Sequence, residues 1–168
     1  MPRLVACGGR RAAFEDFVIG HLSKSDADYV ALLISSEEPL ASLEATWEHL
    51  QSRDEWVKPD GAVDEQVLFM TTCMETWIVA DQNTLASHYG ADLQAKALPP
   101  LVNLEQRRRH EIQDQLAHAT CECTNAYEKG KRSFAVLEKL KPETLQKYLP
   151  SFARARKILD EKLGQPIA

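Results

Sequence analysis

The sequence predicts an α/β domain: a small, mostly parallel sheet with flanking helices, followed by a helical C-terminal section. Three observations carry this. Short apolar runs of strand length lie at 3–7, 29–34 and 66–72, and the middle one is continuous rather than alternating, as in strands covered on both faces. Between the first two runs, Phe14, Phe17, Val18 and Leu22 fall at i, i+3, i+4 and i+8, one apolar stripe of a helix. Strand, helix and strand in about 30 residues form a βαβ unit, whose crossover is expected to be right-handed. Beyond Pro99-Pro100 the apolar patterns are all helical.

Residues 3–7 are the expected first strand, broken by Gly8-Gly9-Arg10. A strand, a glycine pair and a helix give a turn where backbone can approach an anion. Neither GxGxxG nor a Walker pattern is present, so a pair that simply makes the turn explains it as well. A helix follows from Arg11, then a polar turn from Ser23 to Asp28 and a second strand in the Tyr29–Ile34 run. That strand ends in Ser35-Ser36-Glu37-Glu38-Pro39. Ligands of parallel sheets sit beyond such C-terminal strand ends, although a solvated loop accounts for the same residues. Residues 40–53 read as a helix with Leu43, Trp47 and Leu50 on one side, and Asp54 to Asp64 as a loop. Gln66 to Thr72 is the third strand, and Cys73 to Asp81 a helix with Glu75 in its first turn. Asp81 is placed to cap the next helix, Gln82 to His88, which Tyr89-Gly90 closes. Trp47, Trp56 and Trp77 are expected to be buried, packing the loop between the second and third strands onto the sheet. An exposed aromatic platform for bases is the alternative.

One domain is expected, with residues 1–98 as a strand–helix core and residues 99–168 as a helical section packed on it. Asn103 is placed to cap a helix carrying Leu104, Ile112 and Leu116. Arg107-Arg108-Arg109-His110 is interleaved with Glu105, Glu111 and Asp114, so it reads as a helix face with Arg107 pairing to Glu111 rather than as a nucleic-acid patch. Lys129-Gly130-Lys131-Arg132 is a basic turn before a helix that begins with Phe134, Leu137 and Leu140. Pro142 suits the first turn of a helix with Leu145, Tyr148 and Leu149. Phe152, Ala155, Ile158, Leu159 and Leu163 make the last amphipathic stripe.

Of 168 residues, 44% are hydrophobic and 27% charged, which excludes collagen-like, coiled-coil and wholly disordered classes. No apolar run approaches the roughly 20 residues of a membrane helix. The N-terminal run is too short for a signal peptide, so the cytoplasm is the expected compartment. Cys7, Cys73, Cys121 and Cys123 lack CxxC spacing and are expected to be reduced thiols. His118-x-x-Cys121-x-Cys123 can be written as a metal site, against plain thiols at a helix end. The net charge of −5 is uneven: residues 1–90 carry 6 basic against 15 acidic side chains, and residues 91–168 carry 14 against 10. An acidic half suits a divalent cation and a basic half suits phosphate or an acidic partner, although two solvated faces explain the same numbers. No Ser/His/Asp or Cys/His nucleophilic set is visible by spacing. The open edges of a three-stranded sheet make a homodimer plausible.

Several stretches together carry a resemblance. They are Ala6-Cys7-Gly8-Gly9-Arg10 with Phe14 and Phe17, Leu32-Leu33-Ile34-Ser35-Ser36-Glu37, and Trp47-x-His49-Leu50-x-x-Arg53-Asp54-x-Trp56-x-x-Pro59. Cys73-Met74-Glu75-Thr76-Trp77-x-x-Ala80-Asp81, Tyr89-Gly90, Glu105, Ala119-Thr120 and Lys129-Gly130-Lys131-x-Ser133-Phe134 complete the set. The chain resembles the bacterial domain-of-unknown-function family 4276, which is Toprim-like and often encoded beside ATPases in defence-type loci. Two departures stand out. The family's usual Asp-Ser-Glu is Ser35-Ser36-Glu37 here. Its first strand and Glu-Gly turn have no counterpart, residue 3 already matching the second strand, as in a late start or a shortened relative.

The resemblance implies a nuclease-type effector that cleaves phosphodiesters with Mg²⁺ or Mn²⁺, acts on nucleic acid and works with an ATPase partner. Glu37 and Glu75 would be the catalytic carboxylates and metal ligands. Asp81 would be a further metal-side group or a cap. Arg10, Lys129, Lys131 and Arg132 would face phosphate. With Ser35 in place of a carboxylate, metal binding is expected to be weak. The alternative is a degenerate, non-catalytic Toprim-like binding or regulatory module.

Overall fold

The structure, a computed structural model, describes residues 3–25 and 28–164, without the Lys131 side chain. It is a mixed α/β arrangement in which helices surround a small parallel sheet. Helix α1 is Arg10–Ser23, strand β1 is Leu32–Ser35, helix α2 is Thr46–Asp54 and strand β2 is Val67–Met70. The strands pair in parallel, from Leu32 opposite Val67 to Ser35 opposite Met70.

Among the described residues the sheet has two strands, not three. The 3–7 run is not a strand: Leu4 is 93% and Val5 61% exposed. Apolar composition makes a strand only where a neighbour supplies the hydrogen bonds and a second layer covers a face, and this run has neither. The expected first crossover is therefore absent, and α1 simply packs on β1.

The two strands differ in cover. In β1, Leu32 and Ile34 are buried while Leu33 is half exposed, so only one face is covered, contrary to the reading of its continuous apolarity. In β2, Val67 and Phe69 join a core with Phe17, Trp47 and Leu50, while Leu68 packs on the opposite side against Ala155 and Ile158. On α1, Phe14, Phe17 and Val18 face this core as expected, but His21 is buried and Leu22 points out. The His21 ring is held by the Asp60 carbonyl at 2.9 Å and the Gln66 side-chain amide at 3.2 Å. A buried polar ring with both nitrogens partnered avoids the desolvation cost an unpaired one would carry.

Helix α2 starts later than expected because Asp64 fixes its N-terminus. The Asp64 carboxylate accepts from the Trp47 backbone N–H at 2.9 Å and the Thr46 hydroxyl at 3.0 Å. Trp47 is buried, with its indole N–H donating to the Val63 carbonyl at 3.0 Å, and Trp56 stacks on Phe14 at 4.3 Å. Trp77 does not pack on the sheet. It sits edge-on to Phe152 at 5.0 Å, beside the second core.

That second core is helical. It is built by α3 (Met74–Ala80), α4 (Gln82–Tyr89), α5 (Arg109–Thr120), α6 (Lys131–Leu137) and α7 (Pro142–Tyr148), with α8 (Pro150–Leu163) beside it. Ile78, Leu85, Leu104, Ile112, Leu116 and Leu149 are fully buried there, each contributing roughly 1.5–3 kcal/mol by leaving water. Asn103 precedes only a short 3-10 turn, and α5 opens at Arg109 instead. Phe134 points outward, because Val136 takes the buried position on α6. The buried Glu105 carboxylate accepts from the Ser151 backbone N–H and hydroxyl, at the N-terminus of α8, where a negative charge is favoured. Helix α8 is also tied to the sheet by Arg154, which donates to the Val67 carbonyl and the Asp64 carbonyl, both at 3.1 Å. Among the described residues, no helix is long and apolar enough to cross a membrane.

Candidate functional site

The C-terminal ends of β1 and β2 place two loops side by side. Backbone bonds continue past the strands: Ser36 N–H donates to Met70 carbonyl at 3.2 Å, and Glu37 N–H to Thr72 carbonyl at 2.8 Å. Glu37 takes a left-handed conformation, φ 69°, unusual for a residue with a side chain. Its carboxylate is fully engaged. The Ser35 hydroxyl donates to Oε1 at 2.5 Å, and Oε2 is paired with Arg109 and, at 4.0 Å, with Arg53.

Arg10, the first residue of α1, reaches the same place. Its Nε donates to the Ser35 carbonyl at 3.1 Å and its Nη1 pairs with Asp54 at 2.5 Å. The guanidinium lies over the Trp56 ring, 4.6 Å from its centroid. Burial lowers the Arg10 pKa, and Asp54 partly offsets this. Asp54 is shared, since Arg53 pairs with it as well. His49 closes the cluster, its Nε2 bonding the Ser36 carbonyl at 2.9 Å.

Glu75 belongs to a different network. It sits in the first turn of α3 at 1% exposure, and the Tyr127 hydroxyl donates to its Oε1 at 2.6 Å. Burial works against its charge. Hydrogen bonds from Tyr127, its own backbone N–H, Gln113 and Cys73 outweigh this and hold the carboxyl below its ordinary range. Burial and the same carboxylate push the Tyr127 phenol up, and burial pushes the Cys73 thiol up.

The other predicted residues lie elsewhere. Asp81 is fully buried at the far end of α3 and caps α4: it accepts from the Thr84 N–H at 3.1 Å, the Thr84 hydroxyl at 2.7 Å and the Lys141 N–H at 3.0 Å. Lys129 and Arg132 are exposed around the start of α6, with Arg132 bonded to the Ala126 carbonyl and paired with Glu128; the Lys131 side chain lies outside the described residues. The structure thus joins Glu37 with Arg10, and gives Glu75, Asp81 and Arg132 partners of their own.

Arg53, Asp54, Arg109 and Tyr127 are site residues that the reading of individual motifs passed over. Arg53-Asp54 stood inside the Trp47–Pro59 block, and Arg109 inside an arginine run whose neighbour Arg107 does pair with Glu111 as expected. Arg109 is the exception in that run, reaching across to Glu37. Nothing in the local sequence marks Tyr127 as the partner of a carboxylate 52 positions away.

An ion such as Mg²⁺ at Glu37 would have to displace Arg109 and Arg53. At Glu75 it would have to displace Tyr127 from a carboxylate that water scarcely reaches. No group of three or more His, Cys, Asp or Glu among the described residues is placed to hold a metal, the His118–Cys123 segment included. As placed, the residues do not fit the ion.

A family model described as Domain of unknown function (DUF4276) matches residues 10–159. The chain belongs to the DUF4276 family. The match spans both cores, from Arg10 in the arginine cluster to α8, so the arrangement at the strand ends lies wholly within the DUF4276 region. Among curated proteins and among solved structures, nothing matches this DUF4276 chain.

Proposed function

We propose that this chain is a non-catalytic binding module of Toprim-like descent, serving an ATPase partner, rather than a metal-dependent nuclease. One observation carries the reading: the Glu37 carboxylate, the first choice as a metal ligand, is already bound by Arg109, Arg53 and Ser35. A carboxylate neutralised by guanidinium groups is a poor ligand for a hard cation, which needs several anionic oxygens free to converge. Glu75 supports the same conclusion, since its charge is spent on Tyr127 and Gln113 inside the protein. Position in the fold favours binding, because ligands of parallel sheets lie beyond the C-terminal ends of the strands.

The experiment is thermal melting with and without Mn²⁺ on the parent, Glu37→Gln and Glu75→Gln, together with cleavage assays on DNA and RNA. The expected result is a melting temperature indifferent to Mn²⁺ in the parent, and no cleavage. A Mn²⁺-dependent rise in the parent that is lost in both variants, with cleavage of either nucleic acid, would restore the metal-dependent nuclease. A ligand at a hundredfold excess over its Kd stabilises by about 2.7 kcal/mol, so occupancy is readily seen.

A further inference from the structure

We infer that the arginine cluster beyond β1 is a site for a phosphate monoester, and that the Glu37 side chain occupies it until the ligand displaces it. This rests on the reading of the chain as a binding module and names what it binds.

Three guanidinium groups from three separate elements meet here: Arg10 opens α1, Arg53 lies in the last turn of α2 and Arg109 opens α5. They face two carboxylates, Glu37 and Asp54, so the cluster keeps a surplus of positive charge. Two of the three arginines stand at helix N-termini, where the partial positive charge of the helix adds to theirs. The side chains of Arg53 and Arg109 are 27% and 39% exposed, so an anion from solvent can reach them.

Hydrogen-bonding capacity in the cluster is unspent. Among the described residues, Arg10 Nη2 and Arg53 Nε are buried donors with no partner, and Asp54 Oδ2 is a buried acceptor with none. Buried polar groups are nearly always paired, and orphans in one cluster call for an explanation. A group that completes this set must bring acceptor oxygens for the guanidinium groups and one hydroxyl to donate to Asp54. A singly protonated phosphate monoester carries both. Sulfate carries acceptors alone and would set its charge against the Asp54 carboxylate.

Glu37 has the character of an internal stand-in. Its carboxylate imitates the oxyanion between Arg53 and Arg109, and its backbone is held at φ 69°, a conformation a side chain makes unfavourable. Departure of the side chain would free both arginines for the bidentate geometry that suits phosphate oxygens.

The test is titration of the full chain with inorganic phosphate, sulfate and 5′-AMP, followed by calorimetry and by the fluorescence of Trp56, which underlies Arg10. Oligonucleotides with a 5′-phosphate or a 5′-hydroxyl are titrated alongside. The parent should bind inorganic phosphate saturably in the millimolar range, about tenfold more tightly than sulfate. Glu37→Gln should tighten binding about tenfold and Arg109→Gln should weaken it by at least as much. Arg109 is the most exposed arginine of the three, so its variant keeps the fold even if Arg10 variants do not. Tighter binding of the 5′-phosphorylated oligonucleotide than of 5′-AMP identifies a nucleic-acid end as the source of the phosphate. Equal binding identifies a free nucleotide. The inference is overturned if neither the parent nor Glu37→Gln binds phosphate saturably. It is also overturned if phosphate and sulfate bind alike regardless of Glu37 and Arg109, or if the 5′-hydroxyl oligonucleotide binds as well as the 5′-phosphorylated one. Cleavage of either oligonucleotide would defeat the non-catalytic reading without touching these titrations.

Discussion

Replacing Tyr127 by Phe removes one oxygen and tests the electrostatics of the buried Glu75. The phenol donates to Glu75 Oε1 at 2.6 Å, and the carboxylate is 1% exposed, so no water replaces the lost donor. A hydrogen bond to a charged group contributes about 1.5–3 kcal/mol, and loss of about 2 kcal/mol is expected at neutral pH. For a chain of this length that lowers Tm by roughly 4–8 °C. The pH dependence makes the test specific. In the parent, Glu75 titrates below its ordinary value, so the stability it contributes is present above about pH 4.3 and is lost as pH falls through the lower, folded value. In the variant the Tyr127 hydrogen bond is gone while burial, the backbone N–H, Gln113 and Cys73 remain, so the carboxyl moves up relative to the parent and its contribution is lost at a higher pH than in the parent. The penalty of Tyr127→Phe, measured by urea unfolding at pH 7.5 and pH 3.5, should therefore shrink at the lower pH. It should also shrink at pH 7.5 when Glu75→Gln is already present. An equal loss at both pH values and in both backgrounds would refute the account of Glu75 as a charge held by Tyr127.

Three further outcomes are expected. Asp81→Ala should lower the urea-derived stability by about 2–4 kcal/mol, since it removes a helix cap and strands the Lys141 N–H. Glu105→Gln should gain on the parent between pH 4 and pH 7. Burial raises the Glu105 carboxyl, so the parent's stability from it is full below its ordinary value and lost as pH rises through the raised one; paired melts at the two pH values read the difference. In acrylamide quenching of single-tryptophan variants, Trp47 should be the least accessible, followed by Trp56 and Trp77; Trp47 quenched like free tryptophan would contradict its burial.

The elements that short-range pattern controls were readable in advance. β2, the α3 helix with Glu75 in its first turn, the Asp81 cap and the Arg107–Glu111 pair all follow from neighbours a few residues apart. The 3–7 run misled because apolarity is necessary for a buried strand and does not supply its pairing partner. Leu22 and Phe134 misled because a helical stripe fixes which residues share a face without telling which of two adjacent faces the rest of the fold will cover. At the candidate site, Glu37 was legible from its place beside a strand end, whereas Arg10 was singled out from a glycine turn after the 3–7 run, which is not a strand, and reaches the site from the start of α1 instead. Arg109 was not legible, because its contact with Glu37 depends on how α5 packs, and in the one-dimensional pattern it looks like any solvated arginine.

The attachment of α8 to β2 has a consequence for biosynthesis. Leu68 is covered by Ala155 and Ile158, and Arg154 holds the Val67 and Asp64 carbonyls, so the second face of the sheet is completed by residues translated long after the strand itself. At about 5–20 residues per second, several seconds separate the emergence of Met70 from that of Pro150. Throughout that interval the nascent chain carries a half-built sheet with an apolar side open to other chains. Ribosomes stalled shortly before codon 150 should hold a polypeptide that chaperones bind avidly and proteases cut near β2, and release of the last helix should end both at once.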